Sequence, residues 1–241
     1  KTWTGTTSTA WNTSTNWSPA GAPASTDDVI SPSAPANQPL ISGTSTPGCK
    51  NLTINSGASL NISATSSNNA LLTASGNATI NGALTVGGSI TKTGILVVVN
   101  VTWGSTGSMS GFLNGSINVS GNWEFSTGSA ISMGYCGVNF IGSTNTLIIS
   151  KSAGSSFYSV TINKNSVNTV DISSTSTATL NFGSTVMINT GSTLLCHATS
   201  TIVFSNSLYN TGHFSFGIGT VSFEKTSGTQ IIQVNSGDLF N

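Results

Sequence analysis

The sequence predicts an all-β chain folded as a right-handed parallel β-helix, in which each coil of short strands stacks on the coil before it. Three observations support this fold class. Apolar residues alternate in short dyads such as Leu52-x-Ile54, and the turns between them are rich in Gly, Ser, Asn and Thr. Two long segments match each other without a gap. No segment carries the i, i+3, i+4 apolar stripe of a helix.

The matching segments are residues 138–158 and 221–241, and seven of their 21 positions are identical. Upstream of them, Gly121-Asn-Trp-Glu-Phe125 resembles Gly212-His-Phe-Ser-Phe216. Such repeats are typical of a solenoid, because each unit completes its core only against its neighbour. A β-sandwich is the alternative architecture for short strands, but an ungapped internal match favours the β-helix.

Residues 1–48 differ in composition from the rest and are predicted to form an N-terminal cap over the first open coil. They hold three of the five tryptophans and all six prolines. Proline removes a backbone donor, so it suits loops and edges rather than repeated interior strands. Residues 49–241 are predicted to form the β-helix repeats. Leu52 and Leu71 would then occupy equivalent places in successive coils of about 20 residues.

The second copy of the repeat stops before the strand that follows Phe157 in the first copy. A solenoid that ends within a coil exposes an unpaired strand edge, which natural proteins cover. We therefore expect the coils to continue beyond residue 241 in a longer chain, or to be covered by another molecule. End-to-end or lateral self-association would provide such a cover.

The composition narrows the range of partners. The chain has six lysines, six acids and no arginine, and charged residues make up only 5% of it. Phosphate contacts come mainly from Lys and Arg, so no nucleic acid is expected. No stretch approaches the roughly 20 apolar residues of a membrane helix, so no membrane insertion is expected. The richness in Ser, Thr, Asn and Gly favours an exported protein.

The cysteines are Cys49, Cys136 and Cys196, and their odd number excludes complete internal pairing. Cys136 and Cys196 fall at strand positions, which favours small buried side chains. One disulfide with one free thiol is the alternative. The sequence therefore leaves the pairing open.

The first 54 residues combine short aromatic, acidic and apolar motifs. They are Trp3-Thr-Gly5, Trp11, Asn16-Trp17, Pro23, Asp27-Asp28-Val29-Ile30 and Cys49-Lys-Asn-Leu52-Thr-Ile54. In this order the segment resembles a recurrent N-terminal segment of large secreted and surface proteins of Bacteroidetes. The later Gly-x-Val-x-Phe and Phe-x-x-Val-Thr-Ile units look like the β-helical repeats of the same proteins.

This resemblance implies export by the type IX route, a C-terminal sorting domain, and a role as an adhesin or surface fibre. The sequence departs from the family pattern at Ile30-Ser-Pro, where a longer apolar strand is usual. It also contains no sorting domain, so export by that route is expected for the intact protein. The expected location is secreted or at the cell surface.

Two groups of residues are candidate binding sites. Asp27 and Asp28 are candidate calcium ligands, because hard cations accept carboxylates together with backbone carbonyls. The alternative is a turn in which the Asp side chains accept hydrogen bonds from nearby amides. Trp3, Trp11 and Trp17 are candidates for stacking on sugar rings, and burial in the cap is their alternative. No cofactor is expected.

The remaining acids, Glu124, Asp171, Glu224 and Asp238, are scattered singly. Glycoside hydrolysis needs two carboxyls about 5 to 9 Å apart, so the sequence predicts no enzyme. The expected function is a structural and adhesive module of an exported cell-surface or filamentous protein. Its expected partners are surface glycans or other protein chains of an assembly. The alternative is a carbohydrate-binding or polysaccharide lyase-like β-helix module.

Overall fold

The alternating dyads form short strands that pair in parallel with strands one coil away, and the result is a three-faced β-solenoid. This confirms the predicted all-β parallel solenoid over the β-sandwich alternative, with about 8 turns in the described part of the chain. The computed structural model describes residues 1–152, 154–165, 168–173, 179–196, 201–217, 219–236 and 238.

Each coil passes through three faces in turn, here called faces A, B and C. Face A contains Gly48–Cys49, Gly115–Val119, Gly137–Gly142, Ser159–Lys164, Val186–Ile188 and Leu208–Asn210. Face B contains Val29–Ser31, Leu52–Ile54, Trp123–Phe125, Thr146–Ser150, Thr169–Ser173, Thr193–Cys196 and His213–Phe216. Face C contains Leu40–Ile41, Ser59–Ser63, Ala83–Gly87, Ser108–Gly111, Ser156–Phe157, Leu180–Phe182, Thr201–Phe204 and Thr220–Phe223. Two long strands bend from face A into face B, namely Ala70–Ile80 and Gly94–Trp103.

The chain begins with a short hairpin that pairs with the first face B strand. Thr2–Trp3 pairs antiparallel with Trp17–Ser18, and Thr2 pairs in parallel with Ile30 of the first face B strand. A single 3-10 turn, Ser14–Asn16, precedes the second strand. The Asn16 side chain is fully buried and bonds to the loop before it, including the Ala10 carbonyl. One buried amide thus orders the loop of the hairpin.

Parallel stacking begins early in the chain. Val29–Ser31 pairs in parallel with Leu52–Ile54, and Leu40–Ile41 pairs with the second half of Ser59–Ser63. Coil-like strands therefore already exist before residue 49. The division into a cap of residues 1–48 and coils of residues 49–241 stays a prediction.

The core is a set of columns in which inward-pointing side chains of successive coils lie above one another. On face C the column is aromatic: Phe157, Phe182, Phe204 and Phe223 follow each other with ring centroids 5.5, 5.2 and 5.3 Å apart and nearly parallel planes. On face A the column is aliphatic and consists of Leu72, Leu96, Ile117, Val138, Val160, Val186 and Leu208. Each coil therefore completes the core of the next.

The coils in the first half are longer than predicted. Leu52 pairs with Ala78, and Leu60 pairs with Leu84. Leu71, expected at the place of Leu52, lies instead on face A. The spacing was misjudged because strands of all three faces carry the same apolar dyads, so the distance between two dyads does not identify the face.

The ungapped sequence repeat is also out of phase with the coils. Val138 lies on face A and pairs with Val160, whereas its match Val221 lies on face C and pairs with Ile202. The shorter upstream match does join strands of one face, since both of its copies lie on face B. The longer match therefore reflects a shared strand-turn-strand composition and not equivalent places in the solenoid.

An in-phase repeat does exist at the corner between faces A and B, where asparagines stack. The Asn51 Oδ1 accepts the backbone N–H of Asn77 at 2.8 Å, and the Asn100 Oδ1 accepts that of Asn122 at 2.6 Å. Between them, Asn100 Nδ2 donates to Asn77 Oδ1 at 2.8 Å. We call these four residues the asparagine ladder. Side-chain amides thus continue the hydrogen bonding where the backbone turns the corner.

Gly121→Ala is expected to destabilise the protein by about 1–2 kcal/mol. An alanine Cβ at this position would lie 2.3 Å from Asn100 Oδ1 and 3.0 Å from the Val99 carbonyl oxygen. The Asn100 side chain would have to move and lose its hydrogen bonds. In an Asn100→Ala background the two Asn100 atoms that crowd the new methyl group are gone and the Val99 oxygen remains, so the same substitution should cost less. Chemical unfolding of the four proteins measures this coupling; equal costs in both backgrounds would contradict it.

Candidate functional site

Asp27 and Asp28, the two acids predicted as calcium ligands, form hydrogen bonds to backbone groups and to a side chain of the next coil. Asp27 Oδ2 accepts the Ala24 N–H at 2.9 Å, and the Asp27 N–H donates to the Ala24 carbonyl at 3.0 Å. Asp28 Oδ1 accepts from Asn51 Nδ2 at 2.7 Å, while its backbone oxygen accepts from the Lys1 amino terminus at 2.6 Å. For Asp27 this is the turn-capping alternative. Within the described ranges, no three His, Cys, Asp or Glu side chains are grouped so as to hold a metal.

The three tryptophans considered for sugar stacking form the aromatic core of the N-terminal hairpin. Trp3, Trp11 and Trp17 are only 1%, 3% and 3% exposed. Trp17 contacts both of the others edge-to-face, with ring centroids 4.9 Å from Trp3 and 4.8 Å from Trp11. Trp3 Nε1 donates to the Asn37 carbonyl at 2.6 Å. The ring faces are therefore occupied by neighbouring core groups, which is the burial alternative.

All three cysteines are buried free thiols, which confirms the prediction of small buried side chains for Cys136 and Cys196. Burial, with a smaller contribution from Asp28, raises the pKa of Cys49 to about 12. Burial alone raises the pKa of Cys136 to about 12, and it raises the pKa of Cys196 as well. Protonated, inaccessible thiols are poor nucleophiles and poor metal ligands.

Three of the other carboxylates are Glu124, Asp171 and Asp238. Glu124 forms an ion pair with Lys151 at 2.8 Å on the outer side of face B. Asp171 lies two strands further along that face. The Asp238 side chain is fully buried and lies 3.8 Å from His213 Nδ1. Glu124 and Asp171 thus share face B, while Asp238 lies beside His213.

An open cleft with a volume of about 380 Å³ lies at the corner between faces C and A. Three outward-pointing positions of face A, Ser116, Gly137 and Ser159, stack in register to form part of its floor. Gly137 opens that floor, since a Cβ there would point toward the Ser159 Oγ at 3.1 Å. Tyr135 and Tyr158 line the cleft and pack edge-to-face with ring centroids 5.2 Å apart.

Apolar side chains continue from the cleft along the same corner. Tyr135 is 59% exposed, and Leu113, Phe112 and Ile90 are 61%, 56% and 88% exposed. Neighbouring backbone bonds place these turns on successive coils: the Tyr135 N–H donates to the carbonyl of Gly111, one coil earlier. We call Ile90, Phe112, Leu113 and Tyr135 the corner strip. An exposed apolar strip of this kind indicates a binding surface.

Amide groups beside the tyrosines are fixed by the protein. Asn139 Nδ2 donates to Ser116 Oγ at 2.9 Å and to Asn118 Oδ1 at 2.8 Å. Asn114 Nδ2 donates to the Ser89 carbonyl at 2.6 Å. These bonds orient both amides, and among the described residues no group donates a hydrogen bond to either side-chain carbonyl oxygen. The residues that line the cleft include no charged side chain.

Sequence reasoning did not single out this cleft. The sequence feature that could have revealed the cleft is the scarcity of tyrosine, since Tyr135 and Tyr158 are two of only three tyrosines in the chain. Both stand next to strands of face A at the same corner. They become neighbours only once the coil register is known, and the predicted register was too short in the first half and out of phase in the second.

The fold and this site define a parallel β-solenoid with an uncharged aromatic cleft on one corner. The model of a family described as a domain of unknown function (DUF8693) matches residues 2–110, from the first strand into the face C strand Ser108–Gly111. The chain is similar to that family over this part, which is under half of its length. No curated protein and no solved structure matches the chain. No helix that the structure describes is long and apolar enough to cross a bilayer.

Proposed function

We propose that the chain is a non-catalytic structural and adhesive module of an exported protein that lies at the cell surface or in a filament. The supporting observation is the continuity of the main-chain ladder. Over the residues that the structure describes, faces A and B and the N-terminal hairpin form a single 17-stranded sheet. Hydrogen bonds in this sheet run along the solenoid axis, so tension applied along the axis passes from coil to coil through the hydrogen bonds that join neighbouring strands.

The neutral surface supports the same function. With six lysines and six acids, the chain has a formal net charge of zero. Such chains approach one another, or an uncharged polymer, without long-range repulsion. Surface glycans and other protein chains of an assembly are the partners that this surface suits.

A polysaccharide lyase-like module is the rival that involves catalysis. It would need a base and charge-stabilising groups around one sugar unit. The cleft lining offers hydroxyls, amides and aromatic rings, while Glu124 is paired with Lys151 at a different place on face B. The carbohydrate-binding half of this alternative is favoured by the cleft and is developed below.

Beads coated with the purified chain are expected to attach to polysaccharide-coated or cellular surfaces under flow without degrading them. Beads coated with an unrelated neutral protein are the control. The same polysaccharides, incubated with soluble chain, should release neither unsaturated oligosaccharides nor new reducing ends. Attachment no better than the control would contradict the adhesive function, and product release would establish the lyase-like rival. Fractionation of the producing cells tests export, since the protein should be found in the surface or extracellular fraction.

A further inference from the structure

We infer that the cleft at the corner between faces C and A binds a neutral glycan through Tyr135, Tyr158 and the amides beside them. This inference deepens the adhesive function proposed above and rests on it for its biological meaning. It is carried by four independent properties of the cleft: its shape, its aromatic rings, its polar groups and its lack of charge.

The shape suits a polymer more than an enclosed small molecule. A volume of about 380 Å³ is at the lower end of the range of about 300–1,000 Å³ found for ligand sites. The cleft is open, so a chain longer than one sugar unit can enter and leave it. Gly137 creates part of the depth, because any larger residue at this outward position would project into the floor.

The aromatic rings provide an apolar surface for the C–H face of a sugar. Tyr135 is 59% exposed, yet the edge-to-face contact with the half-buried Tyr158 fixes its orientation. A ring held in place loses little conformational entropy when a ligand packs on it. Tyrosine also keeps a polar tip in water while its body makes apolar contacts. The pair is thus a prepared platform.

The polar groups of the cleft have hydrogen-bonding capacity to spare. Asn114 and Asn139 each use their Nδ2 within the protein, and their side-chain carbonyl oxygens accept no bond from any residue that the structure describes. In the described part of the chain, the hydroxyls of Tyr135, Tyr158 and Ser159 make no bond to a protein group. Sugar hydroxyls both donate and accept, so they match such a mixture of amides and hydroxyls.

The lack of charge selects the class of glycan. Uronates, sulfates and phosphates are usually recognised by Lys, Arg or a bound cation. The cleft lining contains none of these side chains, and burying an unpaired anion against Tyr135 and Leu113 would cost free energy. A neutral glycan meets no such penalty.

The corner strip gives the glycan a direction. Ile90, Phe112, Leu113 and Tyr135 belong to successive coils, which rise about 4.8 Å each. This rise is close to the length of one pyranose unit. A linear glycan that runs along the axis would therefore place consecutive rings on consecutive coils, with its best-fixed unit at Tyr135 and Tyr158.

The test is a panel of neutral and anionic oligosaccharides on an array, followed by calorimetry with the neutral ones that bind. Tyr135→Ala removes the exposed ring, and Gly137→Val fills the floor with a residue that strands favour. Tyr209→Ala, which removes another partly exposed tyrosine on the outer side of face A, is the matched control. We expect both cleft variants to weaken binding about tenfold or more, while Tyr209→Ala binds like wild type.

Circular dichroism and thermal melting verify that the variants are folded. If Gly137→Val does not fold, Gly137→Ala takes its place as the variant that fills the cleft floor. Preference for anionic glycans, no binding to any neutral one, or equal binding by wild type and both cleft variants would overturn the inference. Self-association that the cleft variants abolish, without glycan binding, would identify a second copy as the occupant of the cleft and would also overturn the inference.

If beads carrying the cleft variants attach as well as wild type, the adhesive function stands and the role of the cleft fails. If the wild-type chain binds glycan in solution but its beads do not attach, the role of the cleft stands and the adhesive function fails.

Discussion

Replacing Trp123 by alanine is expected to lower the free energy of unfolding by about 3–5 kcal/mol. The indole is fully buried on face B at the centre of an aromatic cluster. Its ring centroid lies 5.2 Å from Phe157, 5.6 Å from Phe125, 5.9 Å from Trp103 and 6.4 Å from Phe140. These rings come from several coils, so the cavity would remove contacts between coils as well as within one.

Chemical unfolding followed by circular dichroism measures this loss. Met187→Ala is the control, because Met187 lies on a face A strand but is 44% exposed; it should change stability by less than about 1 kcal/mol. Trp123→Phe keeps part of the ring contacts and should fall between the two. A Trp123→Ala protein as stable as the Met187→Ala control would show that the cluster does not hold the coils together.

Lys164 is expected to contribute more to the stability of the protein as the pH rises from about 8 to 10.5. Lys164 is only 3% exposed. Its Nζ donates to the Ile141 carbonyl at 2.7 Å and the Ser120 carbonyl at 3.0 Å, and no carboxylate pairs with it in the described ranges. Burial lowers its pKa from 10.5 to about 8.

The direction follows from proton binding. Between pH 8 and 10.5 the unfolded chain holds the Lys164 proton and the folded chain has released it, so the contribution of this lysine to stability rises with pH across this window. Below pH 8 both states are protonated and this contribution is constant. The lowered pKa corresponds to a gain of about 3 kcal/mol over the whole window.

Comparison with Lys164→Met isolates this effect, because every other titratable group is common to both proteins, including the buried cysteines, whose raised pKa values act in the opposite direction. The difference in unfolding free energy between wild type and Lys164→Met should move in favour of wild type as the pH rises from 7.5 to 10.5. The expected movement is about 3 kcal/mol. Parallel pH profiles for the two proteins would rule out a buried ammonium with a lowered pKa.

The fold class could be predicted from sequence because it depends on a local property. Dyads such as Leu52-x-Ile54 with Asn and Gly turns allow few other ways to bury apolar side chains. The phase of the coils could not be predicted in the same way. Val138 and Val221 have similar neighbours but lie on different faces, because turn lengths, and not strand composition, decide which face a strand joins.

The candidate site escaped prediction for a related reason. Tyr135 and Tyr158 belong to different coils, and their contact exists only when the intervening turns are counted correctly. Gly137 has the sequence character of a turn glycine, yet it lies in a strand and forms part of a cleft floor. Trp17 shows the opposite error: the sequence makes it a candidate for sugar stacking, but its ring packs against Trp3 and Trp11 in the core.

The asparagine ladder has a consequence for covalent modification by host cells. Three of its members begin acceptor sequences for N-linked oligosaccharide transfer: Asn51-Leu-Thr53, Asn77-Ala-Thr79 and Asn100-Val-Thr102. A sugar attached to the Nδ2 of Asn100 would displace the bond to Asn77. Its bulk would also have to fit between rungs about 4.8 Å apart. Recombinant production in a eukaryotic secretory pathway would therefore glycosylate the corner that aligns the coils. Production in a bacterial cytoplasm leaves the asparagine ladder unmodified.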